Sequence, residues 1–374
     1  MLIEVHMLQN YAPSNLNRDD TGAPKDAIFG NALRARISSQ AMKRAIRKSA
    51  VFAEAFGGTG LLANRTRRLP AQLRRRLEQS GLDAAAVDTI VNRSQEIGRE
   101  SGRQITASTE AGDPETAQLI FLGEEEIDLL AERLAALYQE VGDAGFKKLK
   151  VEEITRRMGA SVARSVDIAM FGRMTTSAAF ENVDAAVQVA HAISTHRIDP
   201  EFDYYTAVDD ISGEAGAGFI GDTAFNSATY YKYASIHWEG LLGNLGGDSD
   251  VAAQAVAAFV EAWATTNPSG KQNSFAAHNL PDLVLVEVRE RNLPVSYANA
   301  FVKPVWGTSG ESLMDASVDA LARYLKKLDE VYDLASRSRR GWVGTGDWDA
   351  LGQTRLASLS ELVAWLPLGR EAIA

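Results

Sequence analysis

The sequence predicts an α+β fold, a ferredoxin- or RRM-like core carrying two large insertions. Three observations predict it. Alternating and periodic segments run in the order strand, helix, strands, helix, strand. A helix-rich stretch from residue 58 to about 160 interrupts that order. An acidic, glycine-containing excursion from about residue 195 to 225 interrupts it again. With 374 residues the chain can bury one large core or two modest ones.

Taken in order, residues 2–8 alternate as an opening strand, and residues 10–24, rich in Pro, Asn, Asp and Gly, read as a loop. A helix then starts near Ser38 or Ser39, either of them a good N-cap, and stops at Gly57-Gly58. In the first insertion the clearest helix sets Ile127, Leu130, Leu134 and Leu137 on one face, behind three glutamates suited to a helix N-terminus. Residues 166–171 read as a strand. So do residues 187–193, where Val187, Val189, His191 and Ile193 alternate with Gln188, Ala190 and Ala192. The acidic excursion returns as an aromatic strand at 229–237, whose Tyr230, Tyr231 and Tyr233 suit sheet packing better than base stacking. A helix at 251–265 and a strand at 283–288 follow. A long helix begins at Ser312, with Met314, Val318, Leu321, Leu325 and Leu328 on its apolar face. The chain has no internal repeat and no low-complexity linker.

Hydrophobic residues make up 45% and charged residues 24%, ordinary values for a soluble protein. No apolar run approaches the roughly 18 residues of a membrane span; the best, 251–264, is broken by Gln254 and Glu261. The N-terminus has no basic leader and carries Glu4 in its first apolar run, so a secretion signal is not expected. Without cysteine there are no disulfides, thiolate zinc sites or thiol nucleophiles, which fits a cytoplasmic address. The histidines at 6, 191, 196, 237 and 278 show no metal-ligand spacing, so neither a metal nor another cofactor is expected. His191 and His196 read as satisfied strand histidines.

The net charge of −10 hides an asymmetry. Residues 14–48 carry eight basic and three acidic side chains, 64–76 six arginines and no acid, 198–222 seven acids and no base. Phosphate responds to the field within a Debye length of about 8–10 Å, not to the molecular total. On a helical wheel from Ser38 to Phe56, the residues Met42, Ala45, Ile46, Phe52, Ala53 and Phe56 share one arc. Gln40, Lys43 and Arg47 line the opposite side, with Arg44 and Lys48 beside them. Such a surface suits phosphate contacts that hold a strand without reading it. Charge pattern alone fits a solvated basic face equally well.

Two further signals are rejected. Residues 216–221 read GAGFIG, but the dinucleotide fingerprint needs a buried strand before it and a helix after it. Here acidic and β-rich segments flank it, and it reads as a flexible loop tip. Asp19, Asp20 and Asp26 are candidates for metal chelation, yet pairing with Arg18 and Lys25 to order the loop is the simpler role.

The motifs NLNRDD (15–20), KDAIFG (25–30) and RxRISSQxxKRAxRKS (34–49) together resemble the CasC family, the "Cas-seven" backbone subunit of the type I-E CRISPR complex called Cascade. The resemblance continues at DIAMFGRM (167–174), NVDAAVQVAHAISTH (182–196), YTAVDD (205–210) and GKQNSFAA (270–277), and is loose over 58–140. It implies a hand-like subunit. An RRM-like palm would comprise 1–57, 161–194 and 226–374, a helical fingers insertion 58–160, and a β-hairpin thumb 195–225. It also implies a non-catalytic role in antiviral defence: copies stack head to tail in a helical filament along CRISPR RNA, kink it regularly and present bases to target DNA. Arg18, Lys25, Ser38, Gln40, Lys43 and Arg47 would contact the guide backbone. Met174, Tyr205, Thr206 and Ile220 would wedge at the kink, with Tyr205 where the family pattern has Phe. An apolar or aromatic wedge tolerates any base, as a variable guide requires. Lys147, Lys148 and Lys150 are candidates for target DNA, while the role of the arginines at 65–76 is open. The implied partners are the large, small, RNA-processing and 5'-end-capping subunits, and indirectly a helicase-nuclease, with no membrane. The alternative is a metal-dependent target-RNA endoribonuclease on the same fold, using a loop aspartate.

Overall fold

The computed structural model describes residues 1–97, 114–116, 118–158, 164–175, 180–208, 210–211, 215–352 and 354–368. The chain opens with β1 (Leu2–Ser14), β2 (Asp26–Phe29), β3 (Ala32–Ile37), α1 (Ser39–Arg47) and α2 (Ala50–Phe56). Next come β4 (Ala63–Thr66), α3 (Leu69–Leu77), α4 (Ala84–Ser94), β5 (Ile120–Gly123), α5 (Glu124–Lys148), α6 (Val151–Met158) and α7 (Val166–Phe171). β6 (Val187–Val189), β7 (Ala192–Ser194), β8 (Glu201–Val208) and β9 (Ala215–His237) follow, then α8 (Trp238–Asn244), α9 (Ser249–Thr265) and α10 (Gln272–Phe275). The chain closes with β10 (Leu283–Arg289), α11 (Leu313–Tyr332), β11 (Ser338–Gly344), β12 (Thr354–Arg355) and α12 (Leu359–Trp365). No helix among the described residues is long and apolar enough to cross a membrane.

These elements form two units. One comprises Met1–Ala53, Val187–Trp238 and Ala253–Ala374, the other Glu54–Ala186 and Glu239–Ala252. The first is built on a sheet ordered β12-β11-β10-β1-β9-β7-β3-β2, with β6 and β8 also paired to β9. Every pairing in it is antiparallel except β11 with β12. The predicted α+β class is present, on a sheet larger than a four-stranded ferredoxin-like one. β1 and β10 are buried continuously rather than alternately, because both faces of the sheet centre are covered. On one face Met314, Val318, Leu321 and Leu325 of α11 pack against Leu8, Leu283, Leu285, Tyr231 and Trp342. The Ser312 hydroxyl caps α11 by accepting from the Asp315 amide at 3.1 Å.

The centre of this sheet holds charge. Glu287 accepts from Arg289, Arg340 and, at 2.7 Å, the Tyr297 hydroxyl. Glu4 lies 3.2 Å from Arg289 and accepts from the Tyr233 hydroxyl at 2.6 Å and the Val295 amide at 2.7 Å. His6 shares a 2.8 Å hydrogen bond with the Tyr231 hydroxyl. Donor atoms of Glu4, His6 and Glu287 converge within 4.8 Å of one another. Arg289 lies between Glu4 and Glu287, and Arg340 between Glu287 and Asp329, so the cluster reads as a buried network of ionisable groups.

The cluster predicts an opposed pH response. Burial pushes Glu4 up to about 7, against Arg289 and the hydrogen bonds from Tyr233 and Val295, and pushes His6 down to about 4. Glu4 therefore contributes stability below its ordinary 4.5 that is lost as pH rises towards 7. His6 contributes stability above its ordinary 6.5 that is lost as pH falls towards 4. Between 4.5 and 6.5 the two slopes cancel. His6→Asn removes one of them. Urea unfolding of that variant should show stability falling with rising pH by about 1.4 kcal/mol per unit. A midpoint that stays constant with pH across this window would refute the assignment.

Several sequence expectations are corrected. The expected loop at 10–24 begins only after β1, which extends to Ser14, and a hairpin follows it. Gly30 and Asn31 (φ 59° and 57°) form its two-residue turn, the geometry a right-twisted hairpin needs. The helix expected from 38 to 56 is broken. Lys48 leaves helical geometry, and the Ser49 hydroxyl accepts from the Phe52 amide at 3.2 Å, capping α2 anew. Met42, Ile46, Phe52 and Phe56 are buried as expected, but Ala53 is exposed. The strand expected at 187–193 is two strands. Val189 pairs with Ala234 and Ile193 with Tyr231, so four steps oppose three and a bulge turns His191 outward and Ala192 inward. The GAGFIG segment lies in β9, paired with β8, and is not a loop tip; an antiparallel strand still offers no phosphate cradle. Tyr230, Tyr231 and Tyr233 are buried in the sheet.

In the second unit α3, α4 and α5 enclose a core of Leu69, Leu73, Val87, Ile90, Ile127, Leu130, Leu134 and Leu137. α5 bends at Gly142 (φ 67°). Residues 166–171 form a helix, not a strand. The Asp167 carboxylate in its first turn accepts from the Ala63 amide at 2.9 Å, and Gly172 (φ 77°) ends it. Such a short apolar run is ambiguous by periodicity alone.

Candidate nucleic-acid interface

The basic helix α1 follows β3 through Ser38, whose hydroxyl accepts from the Ala41 amide at 3.3 Å. Asn17 ties the preceding loop to this start. Its side-chain oxygen accepts from the Ser38 amide at 2.8 Å and its carbonyl from the Lys25 amide at 2.9 Å. The Lys25 carbonyl in turn accepts from Arg36 of β3 at 2.9 Å. Thus Arg18, Lys25 and Ser38, far apart in sequence, are joined to one loop–helix junction. Along α1, Gln40 and Arg44 are exposed and Lys43 and Arg47 half-buried, while Met42 and Ile46 face inward towards Tyr11, Ile37 and Trp263. Beneath them Lys232 is buried, donating to Gln9 at 3.0 Å and the Trp263 carbonyl at 2.8 Å, and burial pushes its ammonium down to about 7.

The aspartates do not pair with Arg18 and Lys25 as expected. Asp19 accepts from the Thr21 hydroxyl at 2.8 Å and the Thr21 and Ala23 amides at 2.9 and 3.0 Å, so it closes its own turn. The Thr21 hydroxyl, with those amides, holds its carboxyl below the usual range. Asp26 contributes its carbonyl to Arg36 at 2.9 Å. Among the described residues no ion pair joins these aspartates to Arg18 or Lys25.

Leu16, Asn17, Arg18, Asp19, Asp20, Thr21, Gly22 and Gly270 line an open cleft. Gly270 is required there, since a Cβ would come within 2.3 Å of the Leu16 carbonyl oxygen. The motifs at 15–20 and 270–277 are therefore neighbours. Asn15, fully buried, donates to the Gly22 and Ala224 carbonyls at 2.9 Å each, and so links the loop to the base of the β8–β9 hairpin.

On that hairpin Tyr205 stands opposite Gly221, and Thr206 opposite Ile220. A Cβ on Gly221 would meet the Tyr205 ring, so the glycine lets the aromatic lie across the strand pair. Phe202 and Tyr204 are two-thirds exposed, beside Glu201, Asp203 and Asp222. The side chain of Ile220 and residues 209 and 212–214 lie outside the described set.

Met174 and the fingers lysines belong to the second unit. Met174 is 94% exposed, on a clamped backbone. Arg173 exchanges two 2.9 Å backbone bonds with Val183, and the Thr175 amide donates to the Asn182 side chain at 2.6 Å. Lys147, Lys148 and Lys150 are all exposed, and Lys147 also pairs with Asp143 at 2.8 Å. The arginines at 65–76 are largely engaged inside this unit. Arg76 binds Glu124 and Asp128, Arg74 binds Asp88 at 2.8 Å, and Arg65 lies over Phe121 at 4.9 Å.

Sequence reasoning missed Asn17 as the organiser. It lies inside the quoted NLNRDD motif, but the residues it joins became visible only with the fold. His196 is satisfied: its Nδ1 lies 2.7 Å from the Arg197 carbonyl and its Nε2 3.4 Å from the Thr229 amide. His191 is exposed.

The model of the family of CT1975-like proteins matches residues 3–365. Among solved structures, a chain of a "CRISPR RNA-guided surveillance complex, pre-nicking" is 34% identical, with a TM-score of 0.80, covering 97% of this chain and 99% of that one. A chain of another "CRISPR RNA-guided surveillance complex" is 29% identical with a TM-score of 0.69 over the same shares. No curated protein sequence matches. With the family match spanning nearly the whole length, the chain belongs to the CT1975-like protein family.

Proposed function

We propose that this chain is the non-catalytic backbone subunit of a CRISPR surveillance complex of type I-E, a CasC protein. Copies associate head to tail along the CRISPR RNA, and each grips the sugar-phosphate chain and leaves bases free to pair with target DNA. The observation that carries this reading is the junction at Asn17. It gathers Arg18, Lys25, Ser38 and the basic side of α1 on one unit, in a chain similar over 97% of its length to one from an RNA-guided complex. Contacts of this kind fix register without selecting sequence. Tyr205 and Met174 supply apolar surface for the kink, and Lys147, Lys148 and Lys150 contact target DNA. The other subunits of the complex and the helicase-nuclease are its partners, in the cytoplasm.

The test is to load the chain on guide RNAs of increasing length and weigh the particles by native mass spectrometry. The mass should climb one subunit at a time; a single copy at every length would refute the reading. One observation favours a second reading, an endoribonuclease: Asp20 lines the open cleft and is exposed. Regular Mg²⁺-dependent cleavage of complementary RNA, abolished by Asp20→Asn or Asp26→Asn, would select it.

A further inference from the structure

Beside the α1 loop, and sharing Lys25 with it, a second group of donors lies at the edge formed by β2, β3 and the bulge between β6 and β7. The bulge turns His191 to solvent. Its Nδ1 lies 3.2 Å from Nη1 of Arg36. A guanidinium can only donate, so Nδ1 is the acceptor and the ring proton sits on Nε2. Arg36 is itself fixed, with its Nε donating to the Asp26 carbonyl at 2.9 Å and its amide to the Lys25 carbonyl at 2.9 Å. Partial burial, then the charges of Arg36 and Lys25, hold His191 below its ordinary 6.5, and protonation would turn an N–H against the guanidinium. Among the described residues no carboxylate lies within ion-pair distance of Lys25, Arg36 or His191. The group therefore offers donors and no charged acceptor.

We propose that Lys25, Arg36 and the neutral His191 form a phosphodiester site for single-stranded RNA, in which His191 donates from Nε2. It rests on the RNA-binding reading above and adds two residues to it. An anion with several acceptor oxygens matches a set made of donors, and the Arg36 guanidinium, by donating to Nδ1, keeps the ring proton on Nε2, the reverse of a carboxylate or carbonyl that accepts from Nδ1–H and leaves Nε2 as an acceptor. Because the donor is neutral, it releases no counterion. Its loss should weaken binding without changing the salt dependence.

The experiment measures affinity for two unrelated single-stranded RNAs across a salt series, using the full chain. His191→Phe keeps a ring of similar size and removes the donor, and His191→Gln restores a donor near the position of Nε2. The expected result is a roughly tenfold loss for His191→Phe on both RNAs with an unchanged salt slope, largely recovered in His191→Gln. Unaltered affinity in His191→Phe, or a loss that glutamine does not recover, would overturn the proposal. The Lys43→Ala, Arg47→Ala double variant, run in parallel, separates the two levels. If it weakens binding and His191→Phe does not, only this site falls; if neither does, the RNA-binding reading falls with it.

Discussion

Replacing Lys43 and Arg47 together by alanine should lower the salt slope of single-stranded RNA binding by roughly 1.4, about 0.7 for each lost phosphate contact. At physiological salt this corresponds to roughly a tenfold loss of affinity. The loss should be equal for unrelated RNA sequences, because contacts of these cations with phosphate carry no base information. The fold should survive. Both side chains are half-buried at most, and alanine is the best helix former. Fluorescence anisotropy across a salt series reads both quantities. A loss confined to one RNA would mean that α1 reads bases.

The largest expected stability effect lies at Glu126. Its carboxylate accepts from Arg173 at 2.7 Å and from the Gly123 amide at 3.0 Å, and both charged side chains are almost wholly buried. Glu126→Ala leaves a guanidinium in the core without its counter-charge and an amide at the start of α5 without its acceptor. Breaking such a pair costs about 3–5 kcal/mol. At about 2–4 °C per kcal/mol for a unit of this size, melting should fall by roughly 10 °C. Glu126→Gln, which keeps an acceptor, should lose less. A calorimetric shift for Glu126→Ala within about 2 °C would show that the remaining Arg173 bonds, to the carbonyls of Phe121 and Glu181, suffice alone. Arg173 also bridges to Val183 just before Met174, so the same variant should loosen that exposed side chain.

Much of the framework was legible because its signals are local. The Ser312 cap and the apolar face of α11, the glutamates that open α5, and the inward Met42 and Ile46 of α1 follow from periodicity and capping chemistry. The misreadings share a cause: a distant partner or a single inserted residue decided the outcome. Residues 166–171 became a helix where Asp167 meets Ala63, about a hundred positions away in sequence. The bulge near His191 reverses which residues face inward, and nothing in the alternation announces it. Ser49 did carry a signal, since a serine inside a predicted helix is also a ready N-cap. The site was half legible. The basic residues were visible in the sequence, but the junction at Asn17 and the pairing of Arg36 with His191 depend on strand register and appear only in the folded chain.

In the proposed function each copy holds one RNA strand by its backbone, beside the next copy. The most direct measurement is the 260/280 nm absorbance ratio of the particle isolated from cells, read before and after ribonuclease treatment with the label-free mass recorded each time. A nucleic-acid-rich ratio on a large particle is the expected result. A protein-like ratio on a monomer that remains a monomer when guide RNA is added would contradict it.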